Sequence, residues 1–465
     1  MTSIPLHEPW YKNAIIYAVD ISRFMDSDGD GSGDFQGLTQ QLDYISELGV
    51  TCIWLLPFYP SPFKDNGYDI QNYYGIDPRL GTFDDFLTFL KKADERSLRV
   101  MLDMVFNHTS DTHPWFIAAR HDVSSHFRDY YSWTKHPPPV PASKGNIFPG
   151  EEKSVWTVID EDDDRVLIGE IYLPIDELVT YYGDANSEAH LPFNFLLINA
   201  PWDAEHIRRV IDKYEASLPP GAWPNWVLGN HDQHRIASRI GRAQARVAVM
   251  LLLTLRGTPT MYYGDEIGMH DVEIPPDRKV DPRERQCPGL GLGRDPQRTP
   301  MQWSGEPNSD FTEGEPWLPI AAAFKNCNVE NFRKDSKSFL SLYKRLIDVR
   351  QSESALAVGN YAPIDVAPPL LGFLRQDSQN AFAVILNFAD EPQIYHPCGI
   401  IQRGTILIST LGPEADNRRI EGTLSLKANE GILIKLDEIP GNPRPTLEVQ
   451  SSSPPDMRKE DSHHE

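Results

Sequence analysis

The sequence predicts an α/β protein built as a barrel of parallel βα units with a small antiparallel β domain behind it. Three observations carry this. Short apolar, β-branched or aromatic runs alternate with amphipathic helical stretches from residue 14 to about 264, the pattern of parallel βα units. The alternation is interrupted once, after the third run. From about Ala357 helical periodicity stops, and LLGFLR, AFAVILNF, TILIST and GILIKL follow at sandwich-like spacing.

Taken in order, AIIYAV (14–19) reads as the first strand and LTQQLDYISELG (38–49) as a helix that Gly49 stops. TCIWLLPF (51–58) is the second strand, FDDFLTFLKKADERS (83–97) the next helix and RVMLDMVF (99–106) the third strand. Between Asn107 and Arg165 the rhythm fails, because HPPPVPAS (136–143) and DEDDD (160–164) have loop composition. RVLIGEIY (165–172), LPFNF (191–195), NWVLGN (225–230) and TPTMYYG (258–264) then complete a count of seven strands, each followed by a helical segment. Parallel strands with helices outside place functional residues at the strands' C-terminal ends.

Composition restricts the function classes. At 465 residues, 40% hydrophobic and 24% charged, the chain can bury a large core in two or three domains. A formal charge of -23 argues against a nucleic-acid or anionic-membrane partner. The start, MTSIPLHEPW, has no basic region followed by an apolar run, and no stretch reaches membrane-span length, so a cytoplasmic location is expected. Cys52, Cys287, Cys327 and Cys398 lie far apart without ligand spacing, which favours reduced thiols over a disulfide or zinc framework.

Polar residues at the predicted strand ends nominate a site. The third strand ends in LDMVFNH, with Asp103, Asn107 and His108; RVLIGEIY carries Glu170; and NWVLGNHD ends in His231 and Asp232. A carboxylate inside an apolar run is costly to bury unless paired. Each alone reads equally well as a structural ion pair, but together at the ends of one barrel they favour a site. MDSDGDGSGD (25–34) sets Asp26, Asp28, Asp30 and Asp34 among glycines. That spacing suits a hard cation, or else a solvated acidic turn; an EF-hand is excluded because no Glu closes the loop at its twelfth position.

These motifs, with DNGYDI (65–70), DMVFNH (103–108), LGNHD (228–232), PTMYYGDEIGM (259–269) and GLGRDPQRTPMQW, run in one order along the chain. In that order they resemble the α-glucosidase branch of the α-amylase superfamily, glycoside hydrolase family 13. The resemblance implies a TIM-type barrel, a loop domain inserted after the third strand, a C-terminal β domain, and retaining cleavage of α-glucosidic bonds by two carboxyl groups. It implies that Glu170 is the general acid/base and Asp232 the transition-state stabiliser. Asp65, Tyr68, Asp103, His108, His231 and Arg294 would bind the non-reducing glucose. The acidic loop would hold a structural Ca2+ or Mg2+ through Asp26, Asp28, Asp30 and Asp34 with the Ser32 carbonyl.

One part of the family's pattern is missing. Its nucleophile is an Asp ending the fourth strand in a G-F-R-x-D motif, which does not occur between His108 and Glu170. GEEKSVWT (150–157), like the inserted domain, runs directly into VIDEDDDRVLIGE (158–170), like the fourth helix and fifth strand. About one βα unit and part of the inserted domain are therefore expected to be absent, leaving either a closed seven-strand barrel or a gap. Phe332–Asp335 spells F-R-x-D but reads as a helix lead-in, Asp129 lies in the excursion, and Asp160 to Asp164 read as a solvated run. The expected layout is a barrel over 1–108 and 158–355, a truncated inserted domain over 109–157, a β-sandwich over 356–437 and a disordered tail over 438–465. The expected function is that of an α-glucosidase-like hydrolase impaired by loss of its nucleophile, acting on a small α-glucoside such as maltose or sucrose. The alternative is an inactive sugar-binding or vestigial protein, and either would be a monomer or homodimer.

Overall fold

Among the described residues seven short strands form one parallel sheet: β1 (Ile16–Val19), β2 (Cys52–Leu55), β3 (Arg99–Leu102), β4 (Glu170–Ile171), β5 (Phe193–Asn194), β6 (Asn225–Val227) and β7 (Thr258–Tyr262). Their order is β3-β2-β1-β7-β6-β5-β4, and every pairing is parallel. The structure, a computed structural model, describes residues 9–133, 166–286, 289–397 and 403–441. Among these, β3 and β4 are the two edges and do not pair with each other. Among the described residues the sheet is open between these two edges and curls as part of a barrel.

Burial follows position in that order. β1, β2, β6 and β7 are buried along their whole length, as strands covered on both faces must be. β3, paired on one side, is exposed at Arg99 and Leu102 and half-buried between them. The predicted runs RVLIGEIY and LPFNF shrink to two paired residues each. A strand near a free edge loses the ladder that would extend it.

The helices bury the predicted faces. Thr82 and Asp85 form a capping box at the start of the helix Phe83–Asp94, which buries Phe86, Phe89 and Ala93. Asp203 caps Ala204–Ser217, which buries Ala204, Ile207, Ile211 and Tyr214 at three- and four-residue spacing. The single helix expected over 38–49 is two, Phe35–Gln40 and Leu42–Leu48, because Gln41 leaves helical geometry at φ -96° and ψ 6°. Gly49 ends the second at φ 91°, where a Cβ would lie 2.7 Å from Ile347. Phe332 to Lys334 fall in the short helix Val329–Lys334, capped by Asp335, so this F-R-x-D run ends no strand.

Behind the curled sheet lies an antiparallel sheet of six strands, β13-β12-β15-β10-β9-β8, with a separate β11–β14 pair. The strands are β8 (Asn360–Ile364), β9 (Leu370–Gln376), β10 (Ala381–Asn387), β11 (Gln393–Tyr395), β12 (Arg403–Ser409), β13 (Arg419–Glu421), β14 (Leu424–Leu426) and β15 (Gly431–Leu436). The helix Ile236–Thr254 is buried almost all round from Gln244 onward, packed against the helix Phe339–Ser352 and against β10 and β15. Two buried arginines finish its C-terminal end. Arg350 donates to the carbonyls of Leu253 at 2.9 Å, Leu255 at 3.0 Å and Gly257, and Arg375 donates to Thr254 at 2.7 Å and Gly359 at 3.0 Å. Each cation lies where a helix leaves carbonyls without partners.

Cys52 and Cys327 are buried free thiols; Cys287 and Cys398 lie outside the described residues. Among the described residues no helix is long and apolar enough to cross a membrane. The expected inserted domain is described only to residue 133, and the expected tail only to 441. Replacing Arg350 by Ala would strand three buried carbonyls at once. We expect a loss of about 3 kcal/mol in urea unfolding, and a change under 1 kcal/mol would refute the clamp.

Candidate active site

Two turns present a cluster of polar groups at the C-terminal ends of the parallel strands. After β6 the chain runs Leu228-Gly229-Asn230-His231-Asp232, and the Asn230 side chain accepts the amides of Asp232 and Gln233 at 3.0 Å each. This turn fixes where Asp232 points. After β2, Asn66 and Gly67 adopt positive φ of 51° and 97°. Asp69 braces that turn, accepting from the amides of Lys64 and Asp65 at 3.0 Å each and from the Ser61 hydroxyl at 2.8 Å.

The turns bring Tyr68 against His231 as a parallel stack, centroids 5.2 Å apart and planes 13° apart. The Tyr68 hydroxyl donates to Asp103 at 3.0 Å. Glu170 opens β4, with Tyr172 two residues on stacked against Phe195 at 4.4 Å. Its carboxyl is ringed by protein although the residue still opens to solvent. Three carboxyl groups thus feel one another from three strand ends.

Their titration separates. Burial, then the charges of Asp103 and Asp232, push Glu170 up to about 8. Burial also raises Asp103 to about 7, against the lowering effect of the Tyr68 hydrogen bond. Burial alone would raise Asp232 too, but His231, Arg298 and Arg294 outweigh it and hold that carboxyl well below the usual range. At neutral pH the site therefore holds a protonated Glu170 beside an ionised Asp232, the division of labour that acid-assisted cleavage of a glycosidic bond requires. His231, whose pKa burial lowers to about 4, is neutral there.

Arg294 joins the carboxylates of the cluster. Its guanidinium donates to Asp65 at 2.9 Å, to Asp232 at 3.2 Å, and to both oxygens of Asp281 at 2.9 Å each. Arg298, one turn on, donates to Asp232 at 2.7 Å and to the His231 carbonyl at 2.7 Å. Arg298 and Asp281 were not singled out in the sequence. Arg298 could have been, since it shares GLGRDPQRTPMQW with Arg294 and a four-residue spacing across a single turn, whereas RKVDPRERQ gave Asp281 no pattern to stand out from.

Six of the nominated residues, Asp65, Tyr68, Asp103, His231, Asp232 and Arg294, are joined by direct contacts, and Glu170 is coupled to them electrostatically. The His108 ring nitrogen meets the Asn107 amide at 3.3 Å, and the residue lines a cavity of about 370 Å3 with Phe116, Tyr130 and Tyr131, none of the clustered carboxylates among the lining.

In the acidic loop, carboxylate oxygens of Asp26, Asp28 and Asp34 lie within 4.8 Å of one another. Asp26 accepts from the amides of Asp28, Gly29 and Gly31 and from the Thr312 hydroxyl, and Asp34 from Ser27 and Gly37. Asp30 turns back to accept the Ser32 amide at 2.8 Å. Asp28 Oδ1 and Asp34 Oδ2 each accept one amide and keep a lone pair for a hard cation, whereas both Asp26 oxygens already accept two donors apiece, so Asp26 would give up one of these bonds to join them.

With the geometry in place, the comparisons with known proteins agree. The glucan 1,6-alpha-glucosidase of Streptococcus pneumoniae is 28% identical, the match covering 83% of this chain and 93% of the relative. The probable oligo-1,6-glucosidase 2 of Bacillus subtilis is also 28% identical, with 88% and 97% covered. A solved alpha-glucosyl transfer enzyme superposes with a TM-score of 0.81 at 26% identity, covering 92% of this chain and all of that one. The family model described as "Alpha amylase, catalytic domain" matches residues 16–162 and 153–359. Those stretches run from the first parallel strand to the edge of the antiparallel sheet and take in every residue of the pocket, and the chain belongs to the alpha-amylase catalytic-domain family.

Proposed function

We propose that the chain recognises the terminal glucose of a small α-glucoside, such as maltose or sucrose, and that its hydrolysis of the bond is crippled by loss of the family's nucleophile. The observation that carries this reading is the pairing of an assembled recognition set, Arg294 with Asp65 and Asp232 beside the Tyr68–His231 stack, with two sheet edges, β3 and β4, that no strand joins among the described residues. Two features of the comparisons support it. The family model matches in two stretches that overlap over 153–162. The alignment with the pneumococcal relative runs over 497 residues but uses 83% of a 465-residue chain, so more than a hundred of its positions face a gap here.

In this reading Tyr68 and His231 give the sugar a flat platform, while Asp65, Asp232 and the two arginines meet its hydroxyls. Glu170 holds the proton a departing oxygen needs. What is lacking is a second carboxylate, placed about 5 Å from it, to attack the anomeric carbon. A Ca2+ or Mg2+ held by Asp26, Asp28 and Asp34, with Asp30 and the Ser32 carbonyl beside them, would brace the first βα loop and supply no chemistry to the sugar. The chain acts as a monomer or homodimer in the cytoplasm.

Three measurements test this. Purified folded protein should bind glucose by calorimetry, about tenfold more weakly in Asp65→Asn, while releasing p-nitrophenol from its α-glucoside about 10,000-fold more slowly than an intact relative. Appreciable turnover that vanishes in Glu170→Gln would sink the second half of the reading. Thermal stability should fall as pH rises from 5 to 8.5: Glu170 and Asp103 have folded pKa values, about 8 and about 7, above their ordinary 4.5 and 3.8, so their stabilising protonation is complete at low pH and lost through that window. Glu170→Gln should flatten the decline; an unchanged slope would exclude this pair as its source. Chelation should lower the melting temperature by several degrees and Ca2+ should restore it, with Asp28→Ala insensitive to both; indifference of the unmutated protein to EDTA would mean that the loop's internal hydrogen bonds suffice.

A further inference from the structure

A second cavity, of about 350 Å3, opens between the helices Ile236–Thr254 and Phe339–Ser352, and no residue of the glucose pocket lines it. Two helix beginnings converge on it. Gly241, at φ 77° and ψ 155°, breaks the first helix, so a fresh helical run starts at Arg242 and Ala243, both in the lining. Ser338 caps the second, its hydroxyl accepting the Ser341 amide at 3.1 Å. The first amides of each run have no carbonyl within their own helix and carry the positive end of its dipole.

Three cationic side chains line the same space: Arg242, Arg246 and Lys337. Both guanidiniums lie over the Phe339 ring, 5.0 Å and 5.1 Å from its centroid, and Arg242 also reaches Phe332 at 5.8 Å. Each is held by a backbone carbonyl, Arg242 by Gly268 at 3.1 Å and Arg246 by Thr410 at 2.5 Å. Among the described residues neither makes an ion pair, whereas Lys337 pairs with Glu414 and one carboxylate, Asp335, shares the lining. Burial and the neighbouring Arg242 together bring Arg246 down to about 10, with Asp335 opposing. In a chain of net charge -23, two adjacent arginines without a carboxylate partner leave a local excess of positive charge.

We propose that this cavity is a binding site for a phosphate group, either free or carried as a monoester by a small sugar. The fixed arginines supply forked donors suited to phosphate oxygens, the two helix starts add the positive ends of their dipoles, and the volume exceeds what the anion alone would fill.

The test is calorimetry on the full chain with inorganic phosphate and with glucose 6-phosphate, in buffer matched for ionic strength with sodium chloride. Saturable 1:1 binding of either probe is expected, weakened about tenfold in Arg246→Gln and several-fold in Lys337→Gln. Lys337 is exposed, so its variant carries the test if loss of the Arg246–Thr410 bond impairs folding. Tighter binding of the ester would assign the remaining volume to the sugar; equal binding would assign recognition to the phosphate alone. Heat no greater than that of matched chloride, or affinity unchanged in both variants, would overturn the site.

Discussion

The pocket depends on a charge constraint before it depends on shape. An acidic chain brings Asp65, Asp232 and Asp281 to one place, and the Arg294 guanidinium is what lets them coexist. Arg298 reinforces it on Asp232, because the short turn Asp295–Gln297 sets two arginines four residues apart facing the same carboxylate. A buried ion network of this kind adds little net stability but is costly to leave half-made. It therefore specifies an arrangement: the turns after β2 and β6 and the segment around residue 294 must come together, or each strands an unpaired charge.

The same distribution explains why three nearby acids titrate so differently. Both arginines reach Asp232, and burial of Glu170 and Asp103 is opposed by no comparable cation. Asp232 is thus kept ionised while the other two retain protons to near neutrality. Two protonation states are made from three carboxyl groups by the placement of guanidiniums.

Much of this was legible in the sequence. Alternating periodicity located all seven parallel strands and the change to antiparallel strands near Ala357, since burial on both faces leaves continuous apolar runs. Strand ends in LDMVFNH, IGEIY and LGNHD named the acids. Strand lengths were not legible: RVLIGEIY is as apolar as its neighbours, yet only Glu170 and Ile171 pair, because pairing depends on what lies beside a strand. The His108 surroundings were likewise hidden, for its motif names the residue while the fold sets it in a cavity lining shared with Phe116 and Tyr131. Asp281 was missed because nothing local marks a carboxylate whose partner lies thirteen residues away. The break at Gly241 was also invisible, since an isolated glycine within helical periodicity does not announce a left-handed turn.

The unpaired edges have a geometric consequence. In a closed ring, the spacing of any two neighbouring strands is set directly by their shared hydrogen bonds. Here Asp103 and Glu170 follow strands at opposite ends of the order, and among the described residues their spacing is relayed the long way, through β2, β1, β7, β6 and β5. Each interface contributes its own tolerance in twist, and those tolerances accumulate along the relay. Among the described residues the sheet is a horseshoe rather than a hoop: the two acids at its tips are linked through the arc of strands, and the Trp54–Phe193 stack, centroids 4.8 Å apart, braces that arc across its interior.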